Sequence, residues 1–324
     1  MKFRDLDTQP SAVNDEHLAL GLPPVEDAYS HPDRHPVVRT AVWVAASMLF
    51  AATAFMVWRF SQQGDIGHNL GIVGDALRSR EFWSAVLVGL LAQTVDGALG
   101  MAYGITSTSF LLASGFSPAV ASAGVHIAEV FTTGVSGIAH AKLGNVDRRL
   151  FLRLLIPGIL GSVAGVLLLA SVDATVMKPI VSAYLLLMGL YVLSKAWRRV
   201  KARSGEPRHV AKLALFGGFV DASGGGGWGP VVTTTLVGTG HDPRTTIGSV
   251  NFAEFFLTFA SAIAFSVLID EGPWLVVAGL VLGGLFAAPF AALLVSRISA
   301  RKLLVMVGLL ISAISVFNLA KALG

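Results

Sequence analysis

The sequence has no cysteine among its 324 residues. That excludes disulfides, thiol nucleophiles and thiolate-held metals, and it leaves the redox compartment unreadable. Charge is scarce as well: 14% of residues are charged, against about 25% in a soluble domain. The N-terminus lacks a basic segment followed by an apolar one, so no signal peptide is expected. What fills the chain instead is apolar. Hydrophobic residues make up 54%, and several uncharged windows reach roughly 20 residues, enough to cross a bilayer core. The fold class expected is an all-α, multi-pass protein of the cell (inner) membrane. Its net charge of +4 is concentrated in a few loops, so it bears on topology and not on nucleic acid.

Two apolar stretches are interrupted. One reads Asp221-Ala222-Ser223-Gly224-Gly225-Gly226-Gly227-Trp228-Gly229-Pro230, and three threonines, Thr233 to Thr235, follow shortly after it. Four glycines and a Gly-Pro pair do not continue a helix, since glycine costs about 1 kcal/mol and proline about 3 kcal/mol in a helix interior. A break at membrane depth survives only where protein covers it or where it lines a polar cavity. The other stretch reads Asp96-Gly97-Ala98-Leu99-Gly100-Met101-Ala102-Tyr103-Gly104, with Thr106, Ser107, Thr108 and Ser109 after it. A shift of 125 residues lays Asp96 on Asp221, Gly100 on Gly225, Tyr103 on Trp228 and Gly104 on Gly229. It continues without a gap through Gly115/Gly240, Pro118/Pro243, His126/Asn251 and Glu129/Glu254. This is an internal repeat, and paired glycine-broken segments in two halves point to a transporter's binding site. The run Gly224, Gly226, Gly229 also matches G-x-G-x-x-G, but no strand precedes it, so a dinucleotide site is rejected.

The chain divides on this basis into six parts: a disordered polar tail (1–36), an added transmembrane helix (37–58), a connector (59–81), a first repeat (82–197), a basic linker (198–209) and a second repeat (210–324). His17, His31 and His35 of the tail are read as solvated residues, not as metal ligands. In the first repeat, pieces at 82–95 and 105–114, each too short to span alone, flank the break; spans follow at 118–139, 151–170 and 179–194. In the second, short pieces at 210–220 and 231–239 precede spans at 244–269, 274–295 and 303–319. Loops 142–153, 195–212 and 297–302 are basic, and those between them are acidic or nearly neutral, which places the basic loops in the cytoplasm. The two repeats then run in opposite senses. Three spans per repeat allow this only if each break is a re-entrant hairpin entering and leaving on one side.

The hairpin tips offer free amides and the positive end of a helix dipole, a ready anion site. Gly100, Gly104, Gly225, Gly226 and Gly229 bring backbone close, Tyr103 and Trp228 flank it, and Thr106, Ser107, Thr108, Thr233 and Thr234 supply hydroxyl donors. The bland alternative is close helix packing, with the hydroxyls bonded back to their own carbonyls. No Lys or Arg lies within the repeats' apolar segments away from their ends, so a bound anion is expected to rest on dipoles and neutral donors. Glu129 and Glu254 are read as proton-coupling or hairpin-bracing groups, because intramembrane carboxylates are costly and mark function. Asp96 and Asp221 either cap the following turn, bracing the hairpin, or bind an ion or a proton. His126 and Asn251 are read as polar contacts to substrate or hairpin. His126-x-x-Glu129 could hold a metal, but its counterpart lacks the histidine, so neither metal nor cofactor is expected.

With these residues in place, the chain resembles the TauE/SafE sulfite exporter family, also called TSUP. The shared features are the duplicated glycine-rich break, the Gly-x-x-Pro connectors (Gly115–Pro118 and Gly240–Pro243) and the turn Gly144-Asn145-Val146-Asp147. The likeness covers about residues 83–320. It implies a secondary transporter, and no enzyme, that moves sulfite, thiosulfate, sulfoacetate or a related sulfonate, coupled to protons. The first break departs from a polyglycine run, which implies a bulkier tip. Two rivals are an uncoupled anion channel and a membrane enzyme or metal-binding protein using His126 and Glu129.

Overall fold

A computed structural model describes residues 15–16, 19–20, 36–62, 66–197, 209–239, 241–269, 272–295 and 300–323. Most of the polar tail with its histidines, most of the basic linker, Gly240, and the charged residues Asp270, Glu271 and Arg297 lie outside the described residues. Among those described there is no strand. The helices are α1 (Pro36–Ser61), α2 (Ile66–Arg78), α3 (Arg80–Leu99), α4 (Tyr103–Ala113), α5 (Pro118–Lys142), α6 (Arg148–Ser171), α7 (Ala174–Lys195), α8 (Val210–Gly224), a π-turn (Gly229–Thr233) running into α9 (Thr234–Gly238), α10 (Pro243–Leu268), α11 (Trp274–Val295) and α12 (Ala300–Leu323). Among the described residues, five helices (α1, α6, α7, α10 and α12) are long and apolar enough to cross a membrane.

Local chemistry sets the helix ends. Ser117 caps α5 by accepting from the Val120 amide, and Pro118 fills the first helical position, where a missing N–H is harmless. Asp242 and Pro243 repeat the device at α10. The Gly-x-x-Pro connector is thus a helix-starting signal. Asp147 of the Gly-Asn-Val-Asp turn caps α6 through the Leu150 amide at 2.8 Å. Asp173 starts α7, and bonds from the Thr175 hydroxyl and amide hold its carboxyl below the usual carboxylate range. This cap also explains why α7 begins before Pro179, where the sequence reading had started that span.

Glycine contacts reveal how the helices run. Gly279 faces Phe82 and Ala85, and Gly283 faces Val86 and Leu90, so α11 and α3 are parallel neighbours. Gly161 faces Leu215, and Gly165 faces Phe219 and Ser223, so α6 and α8 are parallel neighbours too. By the 125-residue shift α8 is the counterpart of α3, and α11 the counterpart of α6. Each half's first helix therefore packs on the other half. Counterparts also meet directly. Gly134 faces Phe255 while Gly137 faces Phe252, which makes α5 and α10 antiparallel. Gly189 faces Ser312 while Gly308 faces Leu193, which makes α7 and α12 antiparallel. Small residues permit such close approach, which matters in lipid, where packing replaces the hydrophobic drive between helices.

Two apolar clusters fill the interior: one gathers α4, α7 and α12, the other α5, α6 and α10, where Phe151 stacks on Phe252 at 5.0 Å. Outward-facing residues such as Ile156, Leu160, Ile180 and Leu187 are exposed and apolar, as a lipid-facing surface requires. Most of α1 is exposed; it packs against α5 at the edge.

Candidate functional site

The two breaks are built alike. α3 stops at Gly100, in the left-handed region (φ +64°), whose amide donates to the Asp96 carbonyl at 2.6 Å. α8 stops at Gly225 (φ +72°), bonded in the same way to Asp221. Glycine is the residue that takes this conformation without steric cost. The helices then restart. The Trp228 amide donates to Asp221 Oδ1 at 2.9 Å, and the Tyr103 amide makes a longer contact, 3.5 Å, with Asp96 Oδ1. Each aspartate accepts on its carbonyl the amide that ends one helix and on its carboxylate the amide that opens the next.

The breaks cross each other. Gly104 lies against Gly226, a Cβ there coming within 2.7 Å of the Gly226 Cα, and Gly229 lies against Gly100 and Met101. The Thr108 hydroxyl donates to the Gly225 carbonyl. Two further donors brace the second break: Tyr184 of α7 on Gly226 O and Ser122 of α5 on Ala222 O, both at 2.8 Å.

Around the crossing sit four carboxylates, Asp96, Glu129, Asp221 and Glu254, which are 6%, 2%, 1% and 7% exposed. His126, fully buried, places Nε2 at 3.2 Å from Asp221 Oδ2 and Nδ1 at 2.8 Å from the Ser122 carbonyl. Ten buried side-chain polar atoms among the described residues have no hydrogen-bond partner. Thr106 Oγ1, Ser107 Oγ and Thr233 Oγ1 stand just after the breaks, Glu129 Oε2 and Asn251 Oδ1 on α5 and α10, and the other five (Gln93 Oε1, His241 Nε2, Ser261 Oγ, Ser315 Oγ and Asn318 Oδ1) elsewhere. Buried polar groups are paired in about nine cases of ten or more, so three unpaired hydroxyls just after the two breaks make the crossing a candidate for a polar guest.

Other residues singled out from the sequence spend their polar atoms elsewhere. The Tyr103 hydroxyl donates to Leu280 O on α11, and Trp228 Nε1 donates to Val250 O on α10. Both rings are fully buried and pin the restarting helices to their neighbours. Ser109 and Thr235 bond back to the carbonyls four residues earlier.

One expectation needs correction. Donors at the breaks are not all neutral, because Lys195 Nζ lies 2.6 Å from Thr234 Oγ1 and 3.7 Å from Met101 Sδ. Lysine's four-carbon stem lets a residue at the end of α7 reach back along apolar surface to the crossing. Its place in a basic loop hid this. Tyr184, Ser122 and Asn318, whose amide donates to Ser109 O at 3.0 Å, were also missed. Only Ser122 had a readable signal, standing one helical turn before His126. The Gly-Asn-Val-Asp turn joins the halves as well: Asn145 Oδ1 accepts from Arg244 Nε at 2.6 Å, and the Asp147 amide donates to Ser249 Oγ at 2.7 Å.

A family model described as Sulfite exporter TauE/SafE matches residues 85–318. The chain is 43% identical over 244 residues to the "Probable membrane transporter protein YtnM" of Bacillus subtilis (strain 168), which covers 71% of this chain and 81% of that protein. No solved structure matches the chain. With its apolar helices, the molecule is a multi-pass integral membrane protein.

Proposed function

This chain belongs to the sulfite exporter TauE/SafE family, and from that premise we propose that it is a proton-coupled secondary transporter, exporting sulfite or a related small sulfur-containing anion. Its substrate site lies where the two breaks cross. The observation that carries this reading is a set of unpartnered buried atoms: Thr106 and Ser107 after one break, Thr233 after the other, Glu129, whose carboxylate lies beside Gly104, and Asn251. The hydroxyls are donors for anion oxygens, and Glu129 and Glu254 hold the coupled protons. A buried carboxylate is at its cheapest when protonated, so proton and anion enter together with little net charge.

The proposal includes an inverted repeat, each half opening with a re-entrant hairpin. The helix directions support it. If the basic loop around Lys142–Arg148 is cytoplasmic, α5 begins outside, and so α4 ends outside. α3 runs parallel to α11, which descends from the acidic outer loop, so α3 also begins outside. The second hairpin, by the antiparallel relation of α5 to α10, enters from the cytoplasm. In this scheme α1 is an added anchor, and 82–197 and 210–324 are the two functional halves.

Uptake of labelled sulfite into proteoliposomes, with and without an imposed pH gradient, tests the function. Concentration of substrate only under the gradient is expected. Purely dissipative flux would indicate a channel, and no flux with sulfite, thiosulfate or sulfonates would end the reading.

A further inference from the structure

We propose that His126, Glu129 and Asp221 form a binding site for one first-row divalent transition ion of the zinc class, held between the two halves of the protein. Each of the three offers a ligand atom, and these atoms lie within 4.8 Å of one another, in a fully buried setting. His126 and Glu129 come from α5, one turn apart, and Asp221 comes from α8 of the other half. The sequence showed only the first two.

Three observations point to a metal rather than to packing alone. The first concerns the histidine tautomer. His126 Nδ1 faces the Ser122 carbonyl at 2.8 Å, and a carbonyl can only accept, so Nδ1 carries the hydrogen. Metal-bound histidines characteristically donate their other N–H to such a carbonyl. The ring's other nitrogen, Nε2, stands 3.2 Å from Asp221 Oδ2, so two of the ligand atoms already face each other. The second is that spacing. Ligands held at about 2.0–2.2 Å in a tetrahedron stand about 3.4 Å apart; the histidine–aspartate pair is at 3.2 Å, and the Glu129 ligand atom comes within 4.8 Å of both. The third is Glu129 Oε2, more than nine-tenths buried and without a hydrogen-bond partner. A mixed nitrogen and oxygen set favours a transition ion, because sodium, calcium and magnesium prefer oxygen alone.

With the ion bound, Glu129 and Asp221 are held as carboxylates whose charge it offsets, and Glu254 alone is left to carry a coupled proton. That consequence rests on the transport reading; the metal binding does not. Repeat 2 has no equivalent site, since Asn251 stands in the place of His126.

The test is a Co2+ titration of the full chain, with His17, His31 and His35 of the tail replaced by asparagine, purified through a tag free of histidine and stripped with chelator. One Co2+ per chain is expected, with the visible absorption of a low-symmetry four-coordinate ion, displaced by Zn2+. His126→Asn, which installs the residue that repeat 2 carries, should abolish the bands and weaken binding by more than the roughly 10–100-fold typical of outer-shell partners. Glu129→Gln should do the same, and Asp173→Asn should not. Thermal melting checks that each variant is folded. Absence of stoichiometric Co2+ binding in the parent chain would overturn the proposal, as would unchanged binding in folded His126→Asn or Glu129→Gln. Sulfite flux plays no part in the readout, so a failed site leaves the transport reading standing.

Discussion

The first break and the second follow the same backbone path with different residues. One uses Gly-Ala-Leu-Gly-Met-Ala-Tyr-Gly, the other four glycines and Trp-Gly-Pro. The comparison isolates what the path requires. A glycine must take the left-handed turn, at Gly100 or Gly225, and a second must let the partner break approach, at Gly104 or Gly229. Between these, substitution is tolerated at a cost, since Ala102 is held at φ +104°. The chemistry above the shared frame is not shared. His126 meets Asp221, whereas Asn251 Oδ1 meets nothing. The Thr234 hydroxyl, after the second break, receives a lysine ammonium, whereas the backbone carbonyl of its counterpart Ser109 receives the amide of Asn318. One backbone frame, used twice, thus carries different side-chain contacts in its two copies.

The harshest way to break the frame is Gly226→Ala. A Cβ there has no room beside the Gly104 backbone, and φ +130° strains any L side chain. We expect a loss beyond about 4 kcal/mol, the range reserved for severe core defects, read as failure to fold or a collapsed melting temperature. A near-normal melting curve would show that the breaks do not cross tightly. Next in size are Glu129→Gln and Glu254→Gln, each expected to leave the protein folded but to remove concentrative flux under a pH gradient. Unchanged gradient-driven flux in both would reduce the glutamates to scaffolding.

Lys195→Gln sharpens the contrast between the hairpins. Losing one charge-assisted bond, about 1.5–3 kcal/mol, should raise the apparent KM from the Lys195 side at least about tenfold, with little change from the Asn318 side. An equal rise on both faces would remove the proposed polarity. The smallest effect is expected at Ala102→Gly. Relief of a positive φ, about 1–2 kcal/mol, outweighs glycine's extra chain entropy of about 0.5–1 kcal/mol, so the melting temperature should rise slightly; a fall would show that the Ala102 methyl contributes more by packing.

Much of the frame was legible in the sequence because its determinants are local. Glycine runs, Ser-Pro and Asp-Pro helix starts and charge-poor windows act on neighbouring backbone, so the breaks and helices could be located from residue order. Boundaries slipped where a longer element was possible. α3 and α8 continue four residues past the expected ends, to Leu99 and Gly224, because Asp96 and Asp221 sit comfortably inside a helix until a glycine can turn left-handed. The first helix, at 20 residues, is about 30 Å long and not the short piece expected. The site was legible in outline through paired residues, but its cross-chain partners were not. Tyr184, Lys195 and Asp221 reach the crossing only after α7 and α8 have packed against the other half, and sequence separation conceals such meetings.

The absence of cysteine makes the central claim, an inverted pair of halves, directly measurable. Arg149 and Trp274 are equivalent under the 125-residue shift, and both are exposed. Arg149→Cys and Trp274→Cys, each the sole thiol in its chain, can be probed with a membrane-impermeant maleimide in right-side-out and inside-out vesicles. Labelling from opposite sides of the membrane is the result expected, with Arg149→Cys reacting from the cytoplasmic face. Labelling of both from the same side would make the halves parallel and contradict the account.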